Sequence, residues 1–274
     1  MHWKESVRRN RTVLWVVLFV SLTFGFQAWT DAEFENEVLS TIAQQIQKKS
    51  QGKSEEALID SAIQLSFFLQ ERRSIVFGGH RFQSLKANYF KSSLQSFYIG
   101  VGACGYYSLF AARVFQKLGY QPKIIQQKVG NRWGAHITLA IPLKSTGQLV
   151  VVDPLFHHVF RDANGNMVGL EKLKSDWFTL EHTLPDNYNR KYNYQSGWRH
   201  TNWDKFGFVS RAVYKLLCWT YGKAKTDAIC MRMYIIDPYR IQFQLAFGLS
   251  ILAMVLLWIT RQSVNAHKEL DQFS

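Results

Sequence analysis

The chain has 274 residues, with 33 Lys and Arg against 20 Asp and Glu, a net charge of +13, 47% apolar residues and 15% aromatic ones. This composition excludes a disordered chain, and the length suffices for one large domain or two small ones. The mean hydropathy of −0.15 is that of a soluble protein, but it averages over apolar residues that are unevenly spread.

Residues 1–11 are basic, with Lys4, Arg8, Arg9 and Arg11. Thr12 to Thr30 is a run of 19 uncharged residues, and Ile241 to Thr260 is a second of 20. About 20 apolar residues in a helix cross a hydrocarbon core roughly 30 Å thick, so each run predicts a transmembrane helix. For the first, a cleaved signal peptide is the alternative. The run is long for one, and Phe26-Gln27-Ala28 and Thr30-Asp31-Ala32 are poor cleavage sites. For the second the alternative is a buried core helix, but Leu252, Val255, Leu256, Leu257 and Trp258 leave no polar face. The basic residues before the first span and Asp31, Glu33, Glu35 and Glu37 after it put the N-terminus in the cytoplasm. Two spans return residues 261–274, with Arg261 and Lys268, to the same side. The expectation is an inner (plasma) membrane protein with both termini cytoplasmic. Residues 31–240 then form a periplasmic or extracellular domain of 210 residues. With 27 Lys and Arg and 17 Asp and Glu, that segment carries +10. Such a charge suits a membrane lipid surface or an anionic polysaccharide, and in that compartment it argues against nucleic acid.

Within this segment, Phe34, Val38, Leu39, Ile42 and Ile46 predict a helix over 33–49. Ser54 followed by Glu55 and Glu56 starts another, running to about Arg73. Gly78-Gly79 breaks that pattern, and a short helix is expected at about 86–97. Gly102-Ala103-Cys104-Gly105 opens an amphipathic helix that stops at the C′ glycine Gly119. Three strands follow, Pro122 to Val129, Ala135 to Leu143 and Gln148 to Asp153, with Lys144-Ser145-Thr146-Gly147 as the turn between the last two. Beyond Pro154 the chain is an irregular, aromatic-rich elaboration until a helix at about 205–222.

Three residues in this order carry chemistry. Cys104 stands at a helix start, where unpaired N–H groups and the dipole favour a thiolate and the backbone N–H is an oxyanion donor. The small residues around it leave room for a substrate. His136 begins one strand and Asp153 ends the next, so a short antiparallel hairpin sets them side by side. A nucleophile, a base and a carboxylate that orients the base is the logic of a catalytic triad.

The strings G-A-C-G before a helix ending in K-L-G-Y, then A-H-I-T-L-A-I, then V-V-V-D-P, resemble the transglutaminase-like superfamily, which shares the papain-like cysteine-protease core. The separations are 32 and 17 residues, and the resemblance covers about residues 98–156. It implies an α+β fold in which a helix packs on an antiparallel sheet, here set between two transmembrane helices. It also implies Cys104 as nucleophile, His136 as general base and acid, and Asp153 as its orienter. The expected reaction is acyl transfer through a thioester on Cys104, with water or an amine as acceptor and a peptide or glycan-associated amide as substrate. No cofactor is implied. The family often has a Trp or Gln upstream of the Cys at the oxyanion site, and Gln95 and Tyr98 are the candidates here. Some members of this fold keep the shape without the chemistry. The alternative is therefore a non-catalytic subunit that docks on partner proteins of a membrane complex for envelope polysaccharide or protein export.

Other features carry less. His157, His158, His182 and His200 match no zinc spacing, so no metal is expected. Arg72-Arg73 is a solvated helix end. Tyr188, Tyr192, Tyr194, Trp198 and Trp203 are packing residues or else a sugar-stacking or membrane-facing surface. Cys218 and Cys230 either pair as a disulfide, leaving Cys104 free, or stay buried and unpaired.

Overall fold

The computed structural model describes residues 2–77, 93, 97, 104–204 and 207–273, with side chains described over 9–71, 93, 97, 104–204 and 207–264. Gln95, Tyr98, Gly78-Gly79, the expected helix at 86–97 apart from Ser93 and Phe97, and the Arg72-Arg73 side chains lie outside these residues. The elements divide into two compact units, Met1–Asn36 with Asp237–Ser274, and Glu37–Ile236.

The first unit is helical. α1 (His2–Lys49) is continuous over 48 residues, so the apolar run and the amphipathic run at 33–49 form one helix with no break between them. α9 (Pro238–Phe273) carries the second apolar run. Both helices are long and apolar enough to cross a membrane, and only 22% and 17% of their apolar windows are buried. A soluble core helix would be mostly buried. Here Phe19 is 72% and Trp258 62% exposed. Their contact is made by small and polar residues. The Ser21 and Ser250 hydroxyls are 2.7 Å apart, and each also bonds a backbone carbonyl of its own helix. A Cβ on Gly25 would stand 3.2 Å from that of Ala246, the close approach that small residues permit between apolar helices.

The second unit is α+β. It begins with the end of α1 and with α2 (Glu55–Phe77), whose first turn is capped by the Ser54 hydroxyl accepting from the Ala57 N–H at 3.3 Å. α3 (Cys104–Lys117) follows and ends as expected at Gly119, φ +80°. Next come β1 (Lys123–Val129), β2 (Arg132–Pro142), β3 (Leu149–Asp153) and β4 (His158–Val159). α4 (Leu170–Ser175), α5 (Trp177–Leu180), a 3-10 turn at 181–183 and β5 (Trp198–Arg199) lead to α6 (Gly207–Tyr221), α7 (Lys223–Asp227) and α8 (Met231–Tyr234). The sheet is antiparallel throughout, in the order β4-β3-β2-β1-β5. The three expected strands are present within a few residues. β4 and β5 are additions of two residues each, too short to leave a period in the sequence.

Alternation along the strands divides the core in two. Ile137, Leu139 and Ile141 with Val150 and Val152 face a helical layer that includes Leu39, Ile46, Ile59, Ile63, Phe110 and Phe115. Ile125, Ala140 and Val151 face an aromatic layer of Phe160, Trp177, Tyr188 and Tyr194. The expected inward positions Phe34 and Phe68 instead stand outside, 52% and 56% exposed. Polar clamps lock α2 to the sheet. Glu55 accepts from the N–H groups of Lys144 and Ser145 and from the Ser145 hydroxyl in the β2–β3 turn. Partial burial opposes its ionisation, but these hydrogen bonds win and hold the carboxyl below its ordinary range. Arg161 bridges Glu56 at 2.8 Å and Asp60 at 2.7 Å.

The contact at Gly25 predicts a steric effect. Gly25→Leu drives a side chain into Ala246, which costs about 1–3 kcal/mol in a packed contact. The expected result is a lower melting temperature of the full chain in detergent. It should also lose the disulfide that otherwise forms readily between Ser21→Cys and Ser250→Cys.

Candidate active site

A kink in β2 lies next to His136. β1 and β2 pair regularly from Lys123↔Ala140 to Gln127↔His136, and the register then shifts so that Lys128 faces Trp133. Gly134 lies in the looped-out part with φ +70°, and a Cβ there would come 2.8 Å from the Gln126 Oε1. Only glycine takes this left-handed, crowded position without strain. His136 is the last regularly paired residue before the bulge, and alternation with Thr138 and Ala140 puts it in the aromatic layer, on the same face as Asp153 at the end of β3.

The two side chains meet there. His136 Nε2 lies 2.6 Å from Asp153 Oδ2, and both residues are fully buried. The carboxylate has further donors: the Tyr188 hydroxyl at 3.1 Å on Oδ2 and the Leu155 N–H at 3.1 Å on Oδ1. Tyr192 stacks flat on the imidazole, 3.9 Å between centroids and 4° between planes, and Tyr188 meets it edge-on at 6.4 Å. A charged pair is stable in an apolar interior only when its remaining lone pairs and faces are filled in this way. The aromatics Tyr188, Tyr192 and Tyr194 are therefore the walls of the site and not a free surface. Tyr194, fully buried, shares a 3.0 Å hydrogen bond with Thr138.

With Nε2 engaged, Nδ1 is the ring nitrogen left for a reactant. It is buried and has no hydrogen-bond partner. The Cys104 thiol is near enough to favour the charged imidazole. Burial alone would suppress protonation of His136. The Asp153 carboxylate outweighs that, with a contribution from Cys104, and raises the pKa to about 9. The structure thus brings Cys104, His136 and Asp153 to one place. Cys104 is the first residue of α3 and is 7% exposed. The helix is held over the sheet by the Ser108 hydroxyl donating to the Ile137 carbonyl at 2.8 Å and by burial of Phe110, Ala111, Val114 and Phe115.

One residue of this site has no signal in the sequence. Arg232, on α8, brings its guanidinium against Gly105: its nitrogens lie 3.3 and 3.7 Å from the point where a Cβ would stand. Burial pushes the Arg232 pKa down, and the Cys104 and Cys230 thiols pull it back up. Among the described residues no carboxylate pairs with it. A largely buried cation thus stands beside the first turn of α3, where a thiolate or an oxyanion would carry its charge. Gly105 is the residue that admits it.

The remaining candidates lie apart. Cys218 and Cys230 are free thiols, not a disulfide. Cys230 is buried, with its sulfur 3.7 Å from the Ile124 carbonyl. The histidines do not converge: among the described residues no group of three or more His, Cys, Asp or Glu could hold a metal ion. His200 bonds the Ile124 carbonyl at 2.9 Å, and His158 pairs across from Asp153 in the sheet. Burial pushes the His158 pKa down to about 4 against the pull of Asp153.

The two shifted histidines fix a pH dependence. His136 binds its proton more tightly folded than unfolded, so its contribution is complete below pH 6.5 and is lost as pH rises through about 9. His158 binds its proton less tightly folded, so its contribution is present above pH 6.5 and is lost as pH falls toward about 4. Melting temperature should peak near neutrality, and Asp153→Asn should flatten the alkaline side and, by removing its pull on His158, steepen the acid side. A fall on the alkaline side that Asp153→Asn leaves intact would remove His136 as its source. Tyr188→Phe should lower stability by about 1.5–3 kcal/mol, the value of a hydrogen bond to a charged group.

Compared with known proteins, the chain matches no family model, no curated protein and no solved structure.

Proposed function

We propose that the chain is a membrane-anchored, transglutaminase-like cysteine enzyme of the cell envelope, acting by acyl transfer or amide hydrolysis. The observation that carries this reading is the buried His136 ring, bonded through Nε2 to Asp153 and perturbed by the Cys104 thiol. That order of groups is the order a nucleophilic thiol needs. The two long apolar helices support the anchoring, with residues 37–236 on the outer side of an inner membrane.

In this mechanism Nδ1 takes the Cys104 proton and the sulfur attacks an amide carbonyl. Asp153, as acceptor from Nε2–H, holds the ring in that orientation and stabilises the imidazolium. The oxyanion forms near the Cys104 backbone N–H and the Arg232 guanidinium. Collapse breaks the C–N bond, the imidazolium passes its proton to the leaving amine, and a thioester remains on Cys104. Water or a second amine then attacks the thioester, giving up a proton to His136 and releasing the thiol. The substrate is a peptide or glycan-associated amide, and no step needs a cofactor.

The test is turnover by the full chain in mild detergent, on peptide amides with water or hydroxylamine as acceptor. Cys104→Ala should abolish turnover, and acid-quenched wild type should carry a thioester on Cys104. Arg232→Gln should lower kcat by about 10²-fold, the loss of one oxyanion donor, with Arg232→Lys in between. Equal rates for Cys104→Ala and wild type would end the enzymatic reading and leave a non-catalytic subunit of a membrane complex.

A further inference from the structure

Among the described residues of the second unit, one apolar face is covered by nothing. On α6, Phe208 is 82% exposed, Trp219 83%, Val209 67%, Leu216 57% and Val213 41%. At 100° per residue these positions fall in an arc about 140° wide, a single stripe along the helix. No residue of α6 is buried. The opposite side is fastened inward: the Ser210 hydroxyl donates to the Trp203 carbonyl, and the Tyr214 hydroxyl to Asp227 at 2.9 Å. An amphipathic helix in water turns its apolar stripe to the core. This one is mounted with the stripe outward.

We infer that α6 lies in the interface of a lipid bilayer, parallel to its plane, with the apolar stripe in the acyl boundary. Three observations select lipid. α6 has no acidic residue, and Arg211 and Lys215 stand along one edge of the stripe, where anionic headgroups would lie. Trp219, on the stripe near its C-terminal end, is a large amphipathic ring of the kind that favours the headgroup level. Only residues 222–237 separate α6 from α9, one of the two helices apolar enough to cross a membrane. Aromatic and aliphatic residues on one face with basic ones at its margin are the composition of an interfacial helix, which sinks about 5–10 Å into the boundary. This inference rests on the membrane anchoring proposed above and is independent of the chemistry at Cys104.

The experiment uses the full chain with its three native cysteines replaced by Ser. It is reconstituted in phosphatidylcholine vesicles with and without phosphatidylglycerol. A single environment-sensitive fluorophore is attached at Phe208→Cys, Trp219→Cys, Lys225→Cys or, in α9, Phe247→Cys. The expected result is blue-shifted emission at 208 and 219, quenched by lipids spin-labelled near the headgroup and not by aqueous iodide. Position 247 should be quenched by deeply labelled lipid, and 225 by iodide alone. Arg211→Glu or Lys215→Glu should weaken the interfacial state about fivefold per positive charge lost, and only when phosphatidylglycerol is present. Quenching at 247 together with iodide access at 208 and 219 would overturn the interfacial helix and leave the anchoring intact. No lipid quenching at 247 would overturn the anchoring and the helix with it. Labels at 208 and 219 that are dry but untouched by spin-labelled lipid would overturn it in favour of a protein partner, such as a second copy of this chain.

Discussion

The buried contact between His136 and Asp153 constrains the second unit more than any other interaction. An ion pair with no exposed surface is tolerated where good geometry and further hydrogen bonds support it. Here the Tyr188 hydroxyl and the Leu155 N–H take up the carboxylate, and Tyr192 covers the imidazole. The segment between β4 and β5 looks irregular because its task is local: it carries these aromatics onto one end of one face of the sheet. Removing one partner of a buried pair costs about 3–5 kcal/mol, a large share of the 5–15 kcal/mol that holds a domain together. The fold and the pair are therefore mutually dependent.

The sheet separates two jobs. Its helical face is a close-packed aliphatic layer in which α3 is pinned by Ser108 and by Phe110 and Phe115, so Cys104 is presented from a rigid support. Its other face holds the pair and its aromatic walls. Cys104 and His136 come from opposite layers and stand near the same end of the sheet, beside the β-bulge at Gly134. Arg232 reaches the same end from α8, far along the chain, and the absence of a side chain at Gly105 lets it approach. Preorganised charge beside a nucleophile is effective because it needs no rearrangement during the reaction.

The sequence by itself determined a great deal of this. Two uncharged runs of helical length, the amphipathic period from Cys104 to Gly119, and the alternation that ends at Asp153 all appear in the chain as patterns of local periodicity. The proximity of His136 and Asp153 followed from the shortness of the hairpin between them. What only the tertiary structure decided has no local period. The continuity of α1 through residues 31–37 joins an uncharged run and an amphipathic run that the sequence presents as separate periods. The roles of Tyr188 and Tyr192 depend on where an irregular segment comes to rest. The free state of Cys218 and Cys230 depends on Cys230 facing a strand carbonyl. Arg232 sits between two methionines in a four-residue helix, and nothing around it in the sequence distinguishes it from a solvated arginine. Its meaning comes from Gly105, 127 residues earlier. Short-range patterning fixes elements and their faces, whereas the charge environment of a site arises from contacts between distant segments, which a single sequence does not encode in any one window.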